Sequence, residues 1–395
     1  MFAQIREVAI SALRIQEIEG GGMLSLAFRL IAHKPLRYFV ALFGISVAAG
    51  LALIQFGLYR GFRENASVLV DHTDGDVWVC AKFHRNFDFP GIIKRQVLEK
   101  TRSASGISWA YPMLIVFAHW KFEDGRTQTV QVVGYDASQA VGGPWAMAVG
   151  APKDLQRSGF VSVDTCSHHK LRYAEIGTVG EINGIRVEVR AMTDGIRSFQ
   201  GNPIVFTNMD TARAIGQLGQ DDVHYVIAGL SDGVSPDEVL PHLRSLDYVE
   251  AYSKPVFGLK AQQYWLESTG AGTALAFAAL MGLIVGVVVA GQVLYTSTIE
   301  HLKEWGTLKA IGATNGQVTL AIVFQAVSWA LPAHAVAGGF LYLAMQLIQG
   351  KGIHPSIDMH TYLFAGVLTV CVCVLASLLS VMRVMKVEPA DVFKG

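Results

Sequence analysis

His168 and His169 stand close to Asp164 and Cys166, residue types that could move protons or attack an electrophile. Adjacent histidines point apart on a strand and spread round a helix, so the pair is poorly spaced for one ion. No Ser/His/Asp order and no His-Glu-x-x-His run accompanies them, and the group reads as a surface loop. Asp71, Asp74 and Asp76 resemble a calcium loop faintly, but no glutamate stands at the twelfth position. The Gly-x-x-x-x-Gly-Lys-Ser/Thr loop that cradles nucleotide phosphates is absent, so the chain is not expected to use ATP in that way itself. No catalytic site, bound cofactor or metal is expected, since no Cys-x-x-Cys and no local His/Cys cluster is present. Cys80 and Cys166 lie in the middle of the chain, where an oxidising compartment would let them pair; two free thiols is the alternative.

Another stretch suits contact rather than catalysis. Glu300 to Gln317 reads EHLKEWGTLKAIGATNGQ. Glu300, His301, Lys303, Glu304 and Lys309 mix both signs of charge. Ile299, Leu302, Trp305, Leu308 and Ile311 recur every three or four residues, which predicts a short amphipathic helix with an apolar stripe. Gly312 is its expected stop. Such a helix at a membrane surface either floats among headgroups or seats its stripe in a partner's groove; the pattern leaves both open.

The elements around it set the class. Of 395 residues 51% are hydrophobic and only 16% charged, against about 25% charged in soluble domains. Lys+Arg and Asp+Glu are both 32, so no global charge draws the chain to nucleic acid. Four long runs lack charge, and each has the roughly 20 residues that a helix needs to cross about 30 Å of hydrocarbon. They divide the chain into an amphipathic N-terminal region (1–37), helix one (38–59), a large domain with helical stalks (60–268), helix two (269–297), the contact loop (298–317), helix three (318–348), a short loop (349–360), helix four (361–382) and a tail (383–395). Helix two is dense in Gly and Ala, which predicts a place in the protein interior or at a subunit interface. Pro332 and His334 would kink helix three or mark its end. The four cores contain no Asp, Glu, Lys or Arg. Ion-coupled transport usually needs such a group, so energy for any uphill step must come from elsewhere.

The 60–268 region has the character of an α+β domain. DVWVC, MLIVFAHW, TVQVVGY, VEVRA, PIVFT, VHYVIAGL and YVEAY read as strands. PGIIKRQVLEKT, TNMDTARAIGQL (capped by Thr207 or Asn208) and SPDEVLPHLRSL (begun by Ser235, with Pro236 first) read as helices. Glycines 125, 134, 177, 184 and 195 are expected in turns.

Flanking charge orients the spans. Arg6, Arg14, Arg29, Lys34 and Arg37 precede helix one; Lys303 and Lys309 lie in the contact loop; Arg383, Lys386 and Lys394 lie in the tail; the 349–360 loop has Lys351 alone. By the positive-inside rule both termini and the contact loop are cytoplasmic, and the large domain lies outside.

The stretch LYTSTIEHLKEWGTLKAIGATNGQVTLAIVFQAV resembles the signature of FtsX-like ABC permeases through Glu304, Gly306, Leu308, Lys309, Ala310, Ile311, Gly312 and Ala313. The opening LAFRLIAHKPLRYFVALFGISVAAGLALIQFGLYRGF and the closing Arg383 with Pro389-Ala390-Asp391-Val392-Phe393 are similar to the same family. Within it, FGLYRGF and VLYTSTIEHLKEWGTLKAIG resemble the branch of the heterocyst glycolipid exporter permease, DevC. The amphipathic stretch and Gly20–Gly22 before this segment depart from the pattern, leaving Met1 or Met23 as the start.

The resemblance implies a MacB-like permease: a multi-pass protein of the bacterial inner membrane, homodimeric, with a large extracytoplasmic domain between helices one and two. It implies a separate cytoplasmic ABC ATPase subunit that holds ATP and magnesium, and a periplasmic membrane-fusion protein as a further partner. Glu300, Leu302, Lys303, Glu304, Trp305, Gly306, Leu308, Lys309, Ile311 and Gly312 would form the ATPase-coupling helix, with Trp305 and Leu308 as anchors and Glu304 and Lys309 orienting the contact. The expected function is ATP-driven export of a lipid, glycolipid or other hydrophobic substrate. The alternatives are a transducer that signals ATPase state to an extracytoplasmic partner, and a membrane-anchored adaptor.

Overall fold

The computed structural model describes residues 35–198, 200–310, 312–348 and 357–385. The N-terminal amphipathic stretch, the basic collar up to Lys34, Ile311, most of the 349–360 loop and the Pro389–Phe393 motif lie outside these. The fold class holds: four long apolar helices, with a large α+β domain between the first two.

Helix α1 (Pro35–Ala66) is the first long helix. The α+β domain follows. It opens with the short α2 (Val68–Asp71) and β1 (Val77–Ala81), then β2 (Ile93–Lys94), α3 (Arg95–Arg102), β3 (Ile107–Lys121) and β4 (Thr127–Tyr135). Strands β5 (Met147–Val149), β6 (Phe160–Asp164), β7 (Val179–Ile182), β8 (Ile185–Thr193) and β9 (Ile204–Asn208) come next. Then come α4 (Met209–Gly216), β10 (Asp222–Val223), β11 (Tyr225–Leu230), α5 (Pro236–Arg244), β12 (Val249–Ser253) and α6 (Lys254–Gln263).

The main sheet runs β12-β1-β11-β3-β4-β9-β6-β8-β5, with β7 paired to β3 and β8. Its long strand β3 is shared. Residues up to Met113 pair with β11, and residues from Leu114 onward pair with β4. Strand β1 illustrates how sequence selects the layers. Successive side chains on a strand face opposite ways. Val77 and Val79 join Leu98, Val239 and Leu243 of α3 and α5. Trp78 and Cys80 point the other way, into an aromatic cluster with Phe87, Tyr225 and Phe257.

The predicted helix starts are found. Asn208, not Thr207, caps α4 by accepting the Thr211 N–H at 2.9 Å. Before α5, Glu238 accepts the Ser235 N–H at 3.1 Å, and Pro236 opens the helix. Gly134 corrects the turn expectation. It lies inside β4, where an added Cβ would come 2.3 Å from Ala212 Cβ, so its role is to let α4 approach the strand.

Cys80 and Cys166 are both free thiols, so the disulfide left open by the sequence is not made. Strands β1 and β6, which carry Cys80 and lead to Cys166, are five strand spacings apart in the sheet order. That is roughly 24 Å along the sheet, far beyond disulfide reach. Cys166 instead accepts from Arg197 Nη2 at 2.8 Å.

Two buried ionisable groups give this domain opposing responses to acid. Burial pushes Asp88 up to about 6, partly offset by donation from Trp265 and Gln131. Burial pushes His224 down to about 4; its Nδ1 accepts the Ile115 N–H. Below about pH 6 the folded protein binds the Asp88 proton more readily than the unfolded chain does, so the Asp88 contribution to stability grows on acidification. His224 does the reverse, losing stability as pH falls below its ordinary value of 6.5. Asp88→Asn removes the first effect and keeps the second. The variant is expected to lose about 2 kcal/mol more than the wild type between pH 6.5 and pH 4.5. Thermal melts of both proteins across that range check this; parallel pH profiles would refute it.

The helical unit continues with α7 (Ala271–Glu300), α8 (Leu302–Ala310), α9 (Asn315–Ile348) and α10 (Met359–Met385). All but α8 are long and apolar enough to cross a membrane, as is α1. Its core is built from small residues: Ala41, Ala290, Ala326, Ala330, Ala333 and Ala376 surround Ile45, Leu294 and Trp329. Small side chains let the helix backbones approach, as at Gly44, where a Cβ would meet Val293 at 3.2 Å. Pro332 lies within α9, which continues past it. His334 packs on Tyr362 of α10, its Nε2 3.1 Å from the Tyr362 carbonyl. The interior placement expected for helix two does not hold within one chain. Only 11% of the apolar window of α7 is buried, and Phe277, Leu280, Ile284 and Val288 are exposed.

Candidate functional site

The 300–317 segment is set by two adjacent helix ends. Helix α8 stops where Gly312 takes φ +110°, a conformation that glycine adopts without strain. The Gly312 N–H bonds to the Lys309 carbonyl at 3.1 Å and the Ala313 N–H to the Leu308 carbonyl at 2.9 Å. This pair of bonds is the Schellman ending, and Ala313 and Leu308 pack in the same cluster, as that ending favours. Helix α9 then starts with a capping box. Gln317 N–H donates to Thr314 Oγ1 at 3.3 Å, and Thr314 N–H donates to Gln317 Oε1 at 2.9 Å. Between stop and start there is little slack, so α8 turns back against α9.

The apolar stripe is used for that return. Trp305 is 1% exposed, packed with Val318, Ala321 and Ile322 of α9 and Val381 of α10. Leu302 and Leu308 pack partly buried against the same cluster. Of the two expected anchors, Trp305 is packed inside the chain and Leu308 is partly buried. A buried indole satisfies the stripe inside the chain, because the Gly312 stop and the Thr314–Gln317 box fold α8 onto its own neighbours. Gly306 is buried beside it. Lys309 Nζ reaches the Met385 carbonyl at the end of α10, 3.4 Å away. Glu304 is half-buried and 3.4 Å from His301 Nδ1.

What remains outward is polar. Glu300 and Lys303 are exposed, as are Gly312 and the run Thr314, Asn315, Gly316 and Gln317. Ile299, 39% exposed, and Ala310 are apolar exceptions. The geometry is a short helix bolted to two long helices, with a charged face and a polar loop turned to solvent. Such an element can pass a push on its outer face into α9 and α10.

The catalytic candidates resolve into structure. Asp164 is fully buried and accepts from the Cys166, Gly195 and Ile196 N–H groups and from Thr193 Oγ1. It organises two loops and has no access to a substrate. Asp71 accepts from Ser67 Oγ, and Asp76 accepts the Leu230 N–H at 2.9 Å, so these two aspartates of the faint calcium pattern serve hydrogen bonds within the fold. In the helical unit, a cavity among α1, α7 and α10 measures about 30 Å³, room for one water, where small-molecule sites run to ~300–1,000 Å³. Sequence reading missed one cluster. Cys80, His84 and Glu250 bring thiol, imidazole and carboxylate within 4.8 Å of one another, in a domain where no metal-like spacing was seen.

Comparison with known proteins agrees with the architecture. A model for the MacB-like periplasmic core domain matches residues 38–246, and one for the FtsX-like permease C-terminal region matches residues 276–389. An uncharacterized ABC transporter permease of Mycobacterium tuberculosis is 24% identical over 379 residues, 94% of this chain and 100% of the relative. One from Mycobacterium bovis is 23% identical over 385 residues, again 94% and 100%. The crystal structure of the periplasmic region of MacB from Actinobacillus actinomycetemcomitans has a TM-score of 0.37 and 12% identity, over 47% of this chain and 92% of that one. With the core-domain match spanning more than half of its length and the permease match covering the three later long helices, the chain belongs to the FtsX/MacB-like family of ABC transporter permeases.

Proposed function

We propose that this permease couples to a separate cytoplasmic ABC ATPase through the outward face of the 300–317 segment, and that ATP drives export of a hydrophobic substrate such as a lipid or glycolipid. The observation that carries the reading is the attachment of α8. Trp305 is sunk between α9 and α10 while Glu300, Lys303 and the 312–317 loop face solvent. A force applied there would reach two membrane-length helices with little loss, since packed interiors transmit displacement rather than absorb it.

In this reading both termini and the 300–317 segment are cytoplasmic, and the α+β domain is outside. ATP and magnesium belong to the partner subunit. The small cavity and the absence of charged side chains from the four apolar cores support movement of the helices, rather than passage of a substrate through one chain's bundle. Helix α1 runs unbroken to Ala66, beyond the apolar run, which suits a stalk that carries motion outward. The exposed apolar face of α7 suits a second copy of the chain, giving a homodimer. A periplasmic membrane-fusion protein would receive the substrate. The DevC-like branch is consistent with a glycolipid cargo.

Reconstitution with the ATPase that co-purifies with it tests the coupling. Lys303→Glu is expected to weaken ATPase binding about tenfold or more by reversing an exposed charge, with the melting temperature unchanged. Stimulation of ATP hydrolysis equal to wild type would count against the proposed face.

A further inference from the structure

The Cys80–His84–Glu250 cluster has no part in the coupling scheme, yet it is assembled with care. Strands β1 and β12 pair so that Cys80 lies directly opposite Glu250, which puts both side chains on one face of the sheet. The chain then reverses. Phe83 adopts φ +65°, an uncommon conformation for an aromatic residue, and the His84 N–H returns to the Ala81 carbonyl. This turn brings the imidazole back over Cys80, with Sγ 3.4 Å from Nδ1 and 3.8 Å from Nε2. Glu250 Oε2 is 3.8 Å from Nδ1. The Cys80 and His84 side chains are sealed from solvent and Glu250 is 29% exposed, so the cluster has a closed floor and an open mouth. Phe257 and Tyr252 wall the histidine at ring distances of 5.7 and 6.2 Å.

We infer that Cys80, His84 and Glu250 form a binding site for a thiophilic divalent cation of the zinc type, which ties β1, the 82–85 turn and β12 together. Cys80 Sγ and His84 Nε2 stand 3.8 Å apart, and the three ligand atoms lie within 4.8 Å of one another, which a small inward adjustment brings to tetrahedral spacing. With Zn–S about 2.3 Å and Zn–N about 2.0 Å, ligand atoms on adjacent corners lie roughly 3.5 Å apart. The donor set is also selective. Thiolate with imidazole favours zinc over calcium or magnesium, which prefer all-oxygen shells. The Ala81 carbonyl, 3.2 Å from Nδ1, can hold a proton on that nitrogen and leave Nε2 as the ligand. At the mouth, Lys260 Nζ lies 3.4 Å from Glu250 Oε2 and 2.5 Å from Tyr252 Oη. That ammonium neutralises the carboxylate, and an incoming cation must displace it. Water would complete the fourth position. Binding exchanges the thiol proton for a metal–sulfur bond, with no change of oxidation state.

The experiment uses the full-length protein in detergent, stripped with chelator and titrated with Co²⁺, whose thiolate charge-transfer and tetrahedral d–d bands report the ligand set. The expected result is one cobalt per chain with both bands, displaced by Zn²⁺. The bands should persist in Cys166→Ser and in a Cys371→Ser/Cys373→Ser variant, and be lost in Cys80→Ser. Should Cys80→Ser fail to fold, Glu250→Gln, at the exposed mouth, is expected to fold and to weaken cobalt binding about tenfold or more. Zn²⁺ should also raise the melting temperature of the wild type but not of the variant that has lost the bands. Absence of a thiolate band in the folded wild type, its survival in Cys80→Ser, or unchanged affinity in Glu250→Gln would overturn the inference.

Discussion

Trp305→Ala is expected to lower the stability of the helical unit by about 3–5 kcal/mol and to abolish ATPase stimulation, while the four long helices still insert. The indole is 1% exposed and fills the junction of α8 with Val318, Ala321, Ile322 and Val381. Truncation leaves a cavity that α8 cannot close without leaving α9. The Gly312 stop and Thr314 box would still terminate and start their helices, but nothing would hold α8 against the bundle. Push and response would then be disconnected. Trp305→Phe is the control. The indole Nε1 has no hydrogen-bond partner among the described residues, so a phenyl ring loses volume but no bond. That variant should retain most of the coupling. Thermal unfolding in detergent, protease sensitivity of the 300–317 segment and ATPase stimulation are the readouts. Full stimulation by Trp305→Ala would show that α8 is not a lever.

Asp164→Ala is expected to cost the α+β domain about 3–4 kcal/mol, because three backbone N–H groups and the Thr193 hydroxyl lose a buried acceptor together. For a domain of this size that is a fall of roughly 10 °C in melting temperature. Asp164→Asn keeps one carbonyl oxygen and should recover part of the loss. The prediction separates two roles. A structural hub loses stability in proportion to the acceptors removed. A catalytic carboxylate would lose activity in Asp164→Asn with stability intact, and that outcome would reinstate the chemistry rejected for the Asp164–His169 stretch.

How much of this was legible depended on the range over which each signal acts. The long helices were plain, because twenty uncharged residues are a local property. Strand β1 was legible from its β-branched and aromatic run. The Gly312 stop was also local. The Thr314–Gln317 box was present in the letters but unread, and it is what folds α8 back. The stripe of Leu302, Trp305 and Leu308 announced a buried face correctly. Periodicity cannot say which surface buries it, and here α9 and α10 cover Trp305. Gly134 misled for a related reason: a glycine needed for close packing looks like a glycine needed for a turn. The Cys80–His84–Glu250 cluster was out of reach, since one ligand lies 170 residues from the first and only the β1–β12 register unites them. Asp164 reads as part of a surface loop in sequence because its burial and its four donors are tertiary facts.

The central claim is that the polar face of α8 touches an ATPase on the cytoplasmic side. Site-specific photo-crosslinking from position 303 in intact membranes, with the same probe at the buried position 305 as reference, tests it most directly. The account predicts an adduct between position 303 and an ATP-binding-cassette subunit, its yield changing with nucleotide, and no such adduct from position 305. Crosslinks from position 303 to lipid alone, or to a protein on the opposite side of the membrane, would contradict it.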